Sequence, residues 1–348
     1  MRFVDIHRRV STLLRVTFLF VVLSTLSCNQ DNPKANIPDV SHIAVQLETI
    51  RFDSLLFPAD TSRIPQAVQA AVTQHPAFVE IYAGLLRDNE HLKLSPAALL
   101  TDFAGSPIIR KLQDTCWQVY GDISNIQTDL QQAFRYQKYY FPHRPVPALY
   151  TFISEYTMGT FTYGDSILAI GLDFYLGADY PQYDPVSFPH YIKRMMSRPY
   201  IVPKAIEAVA NNIVGQTTNK NLLEHVIANG KILYIMSKLL PETPDSLLLG
   251  YTQKQVDWCT KNEKQMWAYF LSDNLLYSNN YTDFRKYIDH SPNAPGMPPE
   301  APGRVGNWLG WQIISAYMQR YPNTTLPQLL ALRDAQKLLE QSKYKPRR

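Results

Sequence analysis

The sequence has few residues of the kinds that carry catalysis. Its 348 residues include three cysteines and eight histidines, and no two histidines stand four residues apart, as a helical metal site requires. It contains no phosphate-binding P-loop, no glycine-rich dinucleotide pattern after a strand, and no G-x-S-x-G nucleophile elbow. These absences argue against nucleotide-dependent enzymes and against serine hydrolases of the α/β type.

The amino-terminal segment has the pattern of an export signal. Four arginines lie before or at the start of an apolar run at 16–26, which is too short to span a bilayer because spanning takes about 20 apolar residues. The run ends at Thr25-Leu26-Ser27-Cys28, which resembles a bacterial lipobox with Thr25 where leucine is preferred. We therefore predict a lipoprotein signal peptide at 1–27, with acyl chains such as palmitate on Cys28. A plain secretory signal cut near Ser27 is the alternative.

Removal of this signal leaves an almost neutral chain. Four arginines and one aspartate precede Cys28, so the mature chain keeps 30 basic and 29 acidic residues. A net charge this small gives no electrostatic basis for binding nucleic acid. Residues 28–42 are polar and contain two prolines, so we expect a tether between the membrane and the domain.

The two remaining cysteines leave their pairing open. Export makes a disulfide possible. Cys116 and Cys259, however, each lie beside a tryptophan in a helix-like segment, so two buried free thiols fit the sequence at least as well.

The sequence pattern of residues 43–348 predicts a single, mostly helical α+β domain. Apolar residues recur at helical spacing through most of this range, and two β-rich runs, ALYTFISEY and SILAIGLDFYLG, predict a small sheet or hairpin. A further strand is expected within 43–57, and a last helix is expected to run from near Pro327 to just before Lys345. The segment after 304 is expected to be a helix that another element approaches closely, because Gly306 and Gly310 share one face.

Several residues are candidates for a packing centre or a partner surface. Trp308 and Trp311 could form a platform for a sugar, but at helical spacing they favour core packing, and burial of both rings would exclude the platform. Asp173 and Tyr175 lie in GLDFYLGADYPQYD, where an oxygen-rich calcium loop and a tyrosine-packed turn are the alternatives. His225 is the remaining candidate.

The residues around His225 come close to a zinc motif. Asn221-Leu222-Leu223-Glu224-His225 differs by one residue from H-x-x-E-H, but asparagine lacks the imidazole that zinc uses. We therefore predict that this helix holds no metal, and we predict no cofactor for the chain.

Long segments of the second half resemble a known family. AIGLDFYLGADYPQY, NLLEHVIANGKILYIM, PGRVGNWLGWQIISAYM and the closing SKYKP are similar to GldB, a gliding-motility lipoprotein family of the Bacteroidetes. The resemblance runs from about Ile43 to Pro346 and agrees with the export signal. It implies a membrane-anchored cell-envelope lipoprotein, facing the periplasm, that is associated with gliding and with the type IX secretion machinery. Its expected partners are the membrane and other envelope proteins.

The family also resembles a group of predicted zinc peptidases, which implies a zincin-like scaffold. In that comparison Asn229 stands in place of a metal-binding glutamate, and the preceding helix offers Glu207 but no histidine. The resemblance therefore implies a pseudo-peptidase, a non-enzymatic structural or partner-binding component without the metal site. The alternative is an envelope hydrolase acting on peptide or peptidoglycan through an unrecognised site.

Overall fold

The computed structural model describes residues 37–87, 94–216, 220–272 and 275–346. The predicted signal peptide and Cys28 lie outside these ranges. Residues 37–39 have no regular structure, and residues from Val40 onward belong to one compact unit. Within the described ranges, no helix combines the length and the apolar character that crossing a bilayer would require.

Helices make up most of the described chain, which confirms the mostly helical α+β class. In chain order they are α1 (Phe52–Leu55), α2 (Ile64–Gln74), α3 (Pro76–Leu86), α4 (Pro96–Gly105), α5 (Pro107–Tyr120), α6 (Ser124–Tyr140), α7 (His190–Lys193), α8 (Ile201–Val214), α9 (Leu222–Leu239), α10 (Asp245–Leu249), α11 (Gln253–Lys261), α12 (Glu263–Ser272), α13 (Tyr281–Ile288), α14 (Val305–Arg320), α15 (Leu326–Ala331) and α16 (Ala335–Ser342). Short 3₁₀ turns at Leu172–Tyr175 and Arg198–Tyr200 come at either end of the chain segment 176–197, and the second of them leads into α8.

Four strands form one mixed sheet. The strands are β1 (Thr49–Arg51), β2 (Ala148–Phe152), β3 (Thr160–Tyr163) and β4 (Ile167–Gly171), in the spatial order β1-β2-β4-β3. β1 and β4 both run parallel to β2, whereas β3 runs antiparallel to β4 and forms one edge. Every residue of β4 is buried, as expected for an inner strand with helices packed against it.

The structure corrects two details of the expected architecture. The two β-rich runs do not form a hairpin with each other, because β2 and β4 are parallel and the segment between them contributes β3. The last helix is broken in two: α15 ends at Ala331, and Asp334 then accepts a hydrogen bond from the Lys337 amide as the cap of α16.

Local sequence signals explain where several helices begin. The side chain of Asn221 caps α9 by accepting from the Glu224 amide, and Thr252 and Gln255 cap α11 in the reciprocal arrangement of a capping box. The carboxylate of Glu224 instead accepts from the Lys220 amide, so α9 has only half of such a box.

The closest helix pair joins α9 to α14. A Cβ atom added at Gly310 would overlap the carbonyl group of Val226, and one added at Gly230 would overlap the backbone of Gly310. The two helices therefore touch backbone to backbone, and α14 presents a largely buried surface to its neighbours. The close approach expected from Gly306 and Gly310 is present, with α9 as the neighbour.

Cys116 and Cys259 are both buried and unbridged. Burial raises the pKa of both thiols well above the usual range, so neither is ionised near neutral pH. Of the two alternatives that the sequence leaves open, the structure therefore shows the free thiols.

Candidate binding cleft

A cleft lies between α8, the beginning of edge strand β3 and the loop that leads into α14. Its apolar half has a volume of about 390 Å³ and is lined mainly by Phe174, Ile192, Met195, Met196 and the Ala208 side of α8. Its polar half has a volume of about 410 Å³ and is lined by side chains that include Asn211, Asn229, Asn307, Asp289 and Arg304. Glu207, Asn211 and His290 line both halves, so the two cavities adjoin each other.

Glu207 lies where the two halves meet and is held by two cations. Its carboxylate is 2.7 Å from the Lys204 ammonium, one helical turn earlier, and 3.2 Å from the guanidinium of Arg304. Burial alone would raise the pKa of Glu207. The charges of Lys204 and Arg304 outweigh that effect and lower the pKa to about 2. The group therefore stays ionised throughout the physiological range.

Arg304 reaches the cleft from an unusual backbone position. It has a φ of 63° in the left-handed region and forms the amino-terminal cap of α14 without a capping side chain. A non-glycine residue held there is strained, and the surrounding contacts must maintain it. Its backbone amide donates to the Lys286 carbonyl, and its guanidinium also lies 3.4 Å from Nε2 of His290.

His290 is kept neutral by its surroundings. Loss of hydration lowers the pKa of the imidazole first, and the nearby charges of Arg304 and Lys204 lower it further, to about 3. The imidazole therefore accepts from Arg304 and carries no charge at neutral pH.

The floor of the polar half is a chain of amide side chains. Asn229 donates to the side-chain oxygen of Asn307 at 2.8 Å, and Asn307 donates to the Ile288 carbonyl at 2.8 Å. Because the amide nitrogen of Asn229 donates to Asn307, its side-chain oxygen can accept a hydrogen bond from a ligand. The side-chain oxygen of Asn211 can accept in the same way at the rim, because the amide nitrogen of Asn211 donates to the Glu207 carbonyl.

This arrangement is suited to binding rather than to proton transfer. A general base works best with a pKa near the operating pH, and Glu207 lies far below it. Among the residues that the structure describes, no group of three or more His, Cys, Asp or Glu side chains is arranged to hold a metal ion. The cleft instead offers amide acceptors, cationic donors and an adjoining apolar cavity.

The structure brings together two of the residues singled out through the peptidase resemblance. Glu207 on α8 and Asn229 on α9 face each other across the polar half. His225 is elsewhere, because its ring packs against Phe284 with centroids 5.4 Å apart. Asn221 caps α9 and is not part of the cleft.

Asp173 is not one of the residues that line the cleft. The carboxylate is completely buried and accepts from the backbone amides of Ser154 and Tyr156, at 3.1 and 2.7 Å. Glu155 and Tyr156 both have positive φ, which turns these amides toward it. Burial raises the pKa of Asp173 to about 6, while these amides oppose that shift. The carboxylate thus binds the backbone amides of a turn. This agrees with a structured turn, the alternative to a calcium loop in the sequence analysis.

The remaining candidates are distributed between the cleft wall and the core. Tyr175 lines the apolar half but is 3% exposed, with its hydroxyl bound to Thr160. Gly306 and Gly310 are buried in the packing of α14. Trp308 and Trp311 are only 4% and 8% exposed, so neither ring can serve as a sugar platform, and a carbohydrate-binding module built on them is excluded.

Sequence reasoning missed most of the cations and amides of the cleft. Lys204, His290, Arg304 and Asn307 were not singled out, although PGRVGNW contains two of them and Lys204 stands three residues before Glu207. Arg304 and Glu207 are 97 positions apart, so no local pattern could pair them.

Comparison with protein families identifies the chain. The model of gliding motility protein GldB matches residues 33–346, which is nearly the whole chain. The chain belongs to the GldB family. No curated protein and no solved structure matches it. Membership of the GldB family makes the chain a gliding-motility lipoprotein and indicates a membrane-anchored location in the cell envelope.

Proposed function

We propose that this GldB-family chain is a non-enzymatic component of the envelope machinery for gliding and type IX secretion. Its globular region faces the periplasm and binds a partner of that machinery through the cleft around Glu207. The zincin-like scaffold implied by the peptidase resemblance would then be retained for binding rather than for hydrolysis.

The ion pairing of Glu207 carries this proposal. In a metal-dependent hydrolase a glutamate near the metal must exchange protons with a bound water. Here the carboxylate is held between Lys204 and Arg304, and its pKa of about 2 makes it a weak base for taking a proton from water near neutrality. The facing residue, Asn229, is itself engaged with Asn307.

The hydrolase alternative gains no support from the carboxyl group of Asp173. The pKa of Asp173 is about 6, a value that would suit an acid or base, but the side chain is 0% exposed. No substrate can approach it without opening the fold.

The proposal is tested by blocking the cleft in cells. Ala208 lines the apolar half, so Ala208→Phe should fill the cavity and reduce both gliding and the export of type IX cargo. Ala70→Phe, at an exposed position on α2, is the matched control and should leave both unchanged. Normal gliding and export in an Ala208→Phe strain with normal protein levels would contradict the proposal.

A second measurement addresses the absence of enzymatic activity. The purified lipoprotein, incubated with an unfolded protein or with peptidoglycan, is expected to release no fragments above the buffer blank. Release that disappears in Glu207→Gln, with an unchanged circular dichroism spectrum, would favour the hydrolase.

A further inference from the structure

The cleft has a backbone wall as well as side chains. The Gly171 amide donates to the Gly159 carbonyl, and bonded positions alternate along an antiparallel ladder. The backbone N–H and C=O groups of Thr160 and Thr162 therefore face away from β4. In the part of the chain that the structure describes, no hydrogen bond reaches these groups, and β3 is the edge strand.

This open edge borders the apolar half of the cleft. Gly159 and Thr160 line the cavity together with Lys204 and Glu207 of α8, and α8 packs on β3 and β4. A segment lying along the edge would therefore run beside β3 and come close to Lys204 and Glu207 of α8.

The apolar half suits one large apolar side chain. Its volume of about 390 Å³ falls in the range of ligand pockets, and four apolar side chains dominate its lining: Phe174, Ile192, Met195 and Met196. Methionine side chains adapt to different shapes, so such a cavity selects for apolar character more than for one exact residue.

The charges of the cleft balance, which restricts its ligand. Lys204 and Arg304 are offset by Glu207 and by Asp289, whose carboxylate accepts from the Tyr281 hydroxyl at the rim. A neutral cleft has no preference for polyanions such as phosphate-rich ligands. Its cationic donors and amide oxygens match the neutral C=O and N–H groups of a peptide backbone.

We propose that the cleft binds an extended peptide segment of a partner protein as an added strand on β3. The segment hydrogen-bonds to Thr160 and Thr162, places one apolar side chain among Met195 and its neighbours, and presents its next peptide group to Asn211 and Asn229. Main-chain bonds then give affinity and the side-chain cavity gives selectivity, as in other cases of strand addition. This inference rests on the proposed partner-binding function and names the chemistry of the partner.

Peptide probes test the inference with the full lipidated chain in detergent. The probe acetyl-Gly-Thr-Leu-Thr-Gly-amide should bind saturably in a calorimetric titration. Replacing its leucine by glycine, or N-methylating the two threonine amides, should weaken binding by about tenfold or more. The first change removes the side chain that fills the apolar cavity, and the second removes main-chain N–H groups that donate to β3.

Matched variants locate the binding site. Thr162→Pro removes an N–H that faces the open edge and is tolerated there, whereas Thr162→Val keeps the backbone donor. We expect Thr162→Pro to weaken the probe by about tenfold or more and Thr162→Val to bind like the parent chain. Ala208→Phe should abolish binding. Unchanged melting temperatures show that each variant is folded.

The outcomes separate this inference from the proposed function. Equal binding of the parent and N-methylated probes, or binding of the N-acetylglucosamine–N-acetylmuramic acid disaccharide without the peptide, would overturn the peptide assignment. If no peptide binds but Ala208→Phe still stops gliding and export, only the peptide assignment fails. If the peptide binds and Ala208→Phe cells behave normally, the proposed function fails instead.

Discussion

Glu207 is the residue on which the binding and hydrolase interpretations of the cleft differ most. The sequence identifies this glutamate and the lack of histidine around it, but it does not reveal the two cations that neutralise it. Lys204 is predictable, since positions three apart on a helix are neighbours. Arg304 is not, because it depends on a strained turn before α14.

The ion pairs of Glu207 should make stability depend on pH in a defined direction. The folded pKa of about 2 lies below the ordinary 4.5, so the stabilisation is complete above pH 4.5 and is lost as the pH falls toward 2. Glu207→Gln should therefore lower the free energy of unfolding by on the order of 2–3 kcal/mol at pH 7, and this deficit should close near pH 2. Urea unfolding across this range measures it.

Asp173 and His290 also make the free energy of unfolding depend on pH. Protonation of Asp173, whose pKa is raised, favours the folded state as the pH falls from 6 to 3.8, whereas the lowered pKa of His290 disfavours it below 6.5. The contribution of Asp173 cancels when Glu207→Gln is compared with the parent chain, because Glu207 is not among the groups that shift its pKa. The charge of Glu207 raises the pKa of His290, so the variant should also lose a little more stability below pH 6.5. Glu80→Gln, at an exposed position on α3, is the control. A deficit independent of pH would contradict the ion-pair explanation.

Helices were more predictable than strands in this chain. Caps such as Thr252 and stripes such as that of α14 depend on neighbouring residues, so the sequence alone indicates where these helices lie. Strand pairing depends on contacts between distant segments. β2 and β4 were recognised as β-rich, but their parallel pairing was not, and β3 is only four residues long. The open edge of the cleft was therefore beyond sequence reasoning.

The contact between α9 and α14 predicts a specific sensitivity to added methyl groups. Gly310→Ala should destabilise the fold by about 1–3 kcal/mol, because the new Cβ overlaps the Val226 carbonyl and the two helix backbones must separate. Thermal unfolding followed by circular dichroism gives the change.

A glycine elsewhere in the chain provides the control for that substitution. Gly84, inside α3, has no atom within 4 Å of its added Cβ, so Gly84→Ala should raise stability by about 0.5–1 kcal/mol. If both alanine variants shift the melting temperature in the same direction, the packing account of the α9–α14 contact is wrong.

At the scale of the whole molecule, the site exists only because distant segments converge. α8, α9, β3 and the loop before α14 each contribute to the cleft, and none of them resembles a site by itself. The family could be identified from the sequence because the resemblance runs through several long contiguous segments. The cleft could not be identified in this way, because its polar residues come from segments that are far apart in the sequence and several of them lie outside those motifs.

The anchor prediction also belongs to the whole molecule. Cys28→Ala should move the protein from the membrane fraction to the soluble fraction or stop its maturation, because a single chain binds membranes only marginally and several acyl chains hold stably. Fractionation and intact mass measure both effects. Ser27→Ala, which keeps a small residue before the cysteine, is the control. An unchanged mass and distribution for Cys28→Ala would show that no lipid is attached there.

The way the chain enters its sheet has a mechanical consequence. The first strand or helix of the described residues is β1, and Arg51 at its end donates to the carbonyls of Tyr120 and Gly121 while pairing with Asp53. Asp53 in turn accepts from Thr151 of the neighbouring strand. Arg51 and Asp53 thus form a clamp that joins β1 to α5 and β2. We expect a force applied at the start of β1 to be shared among these three elements.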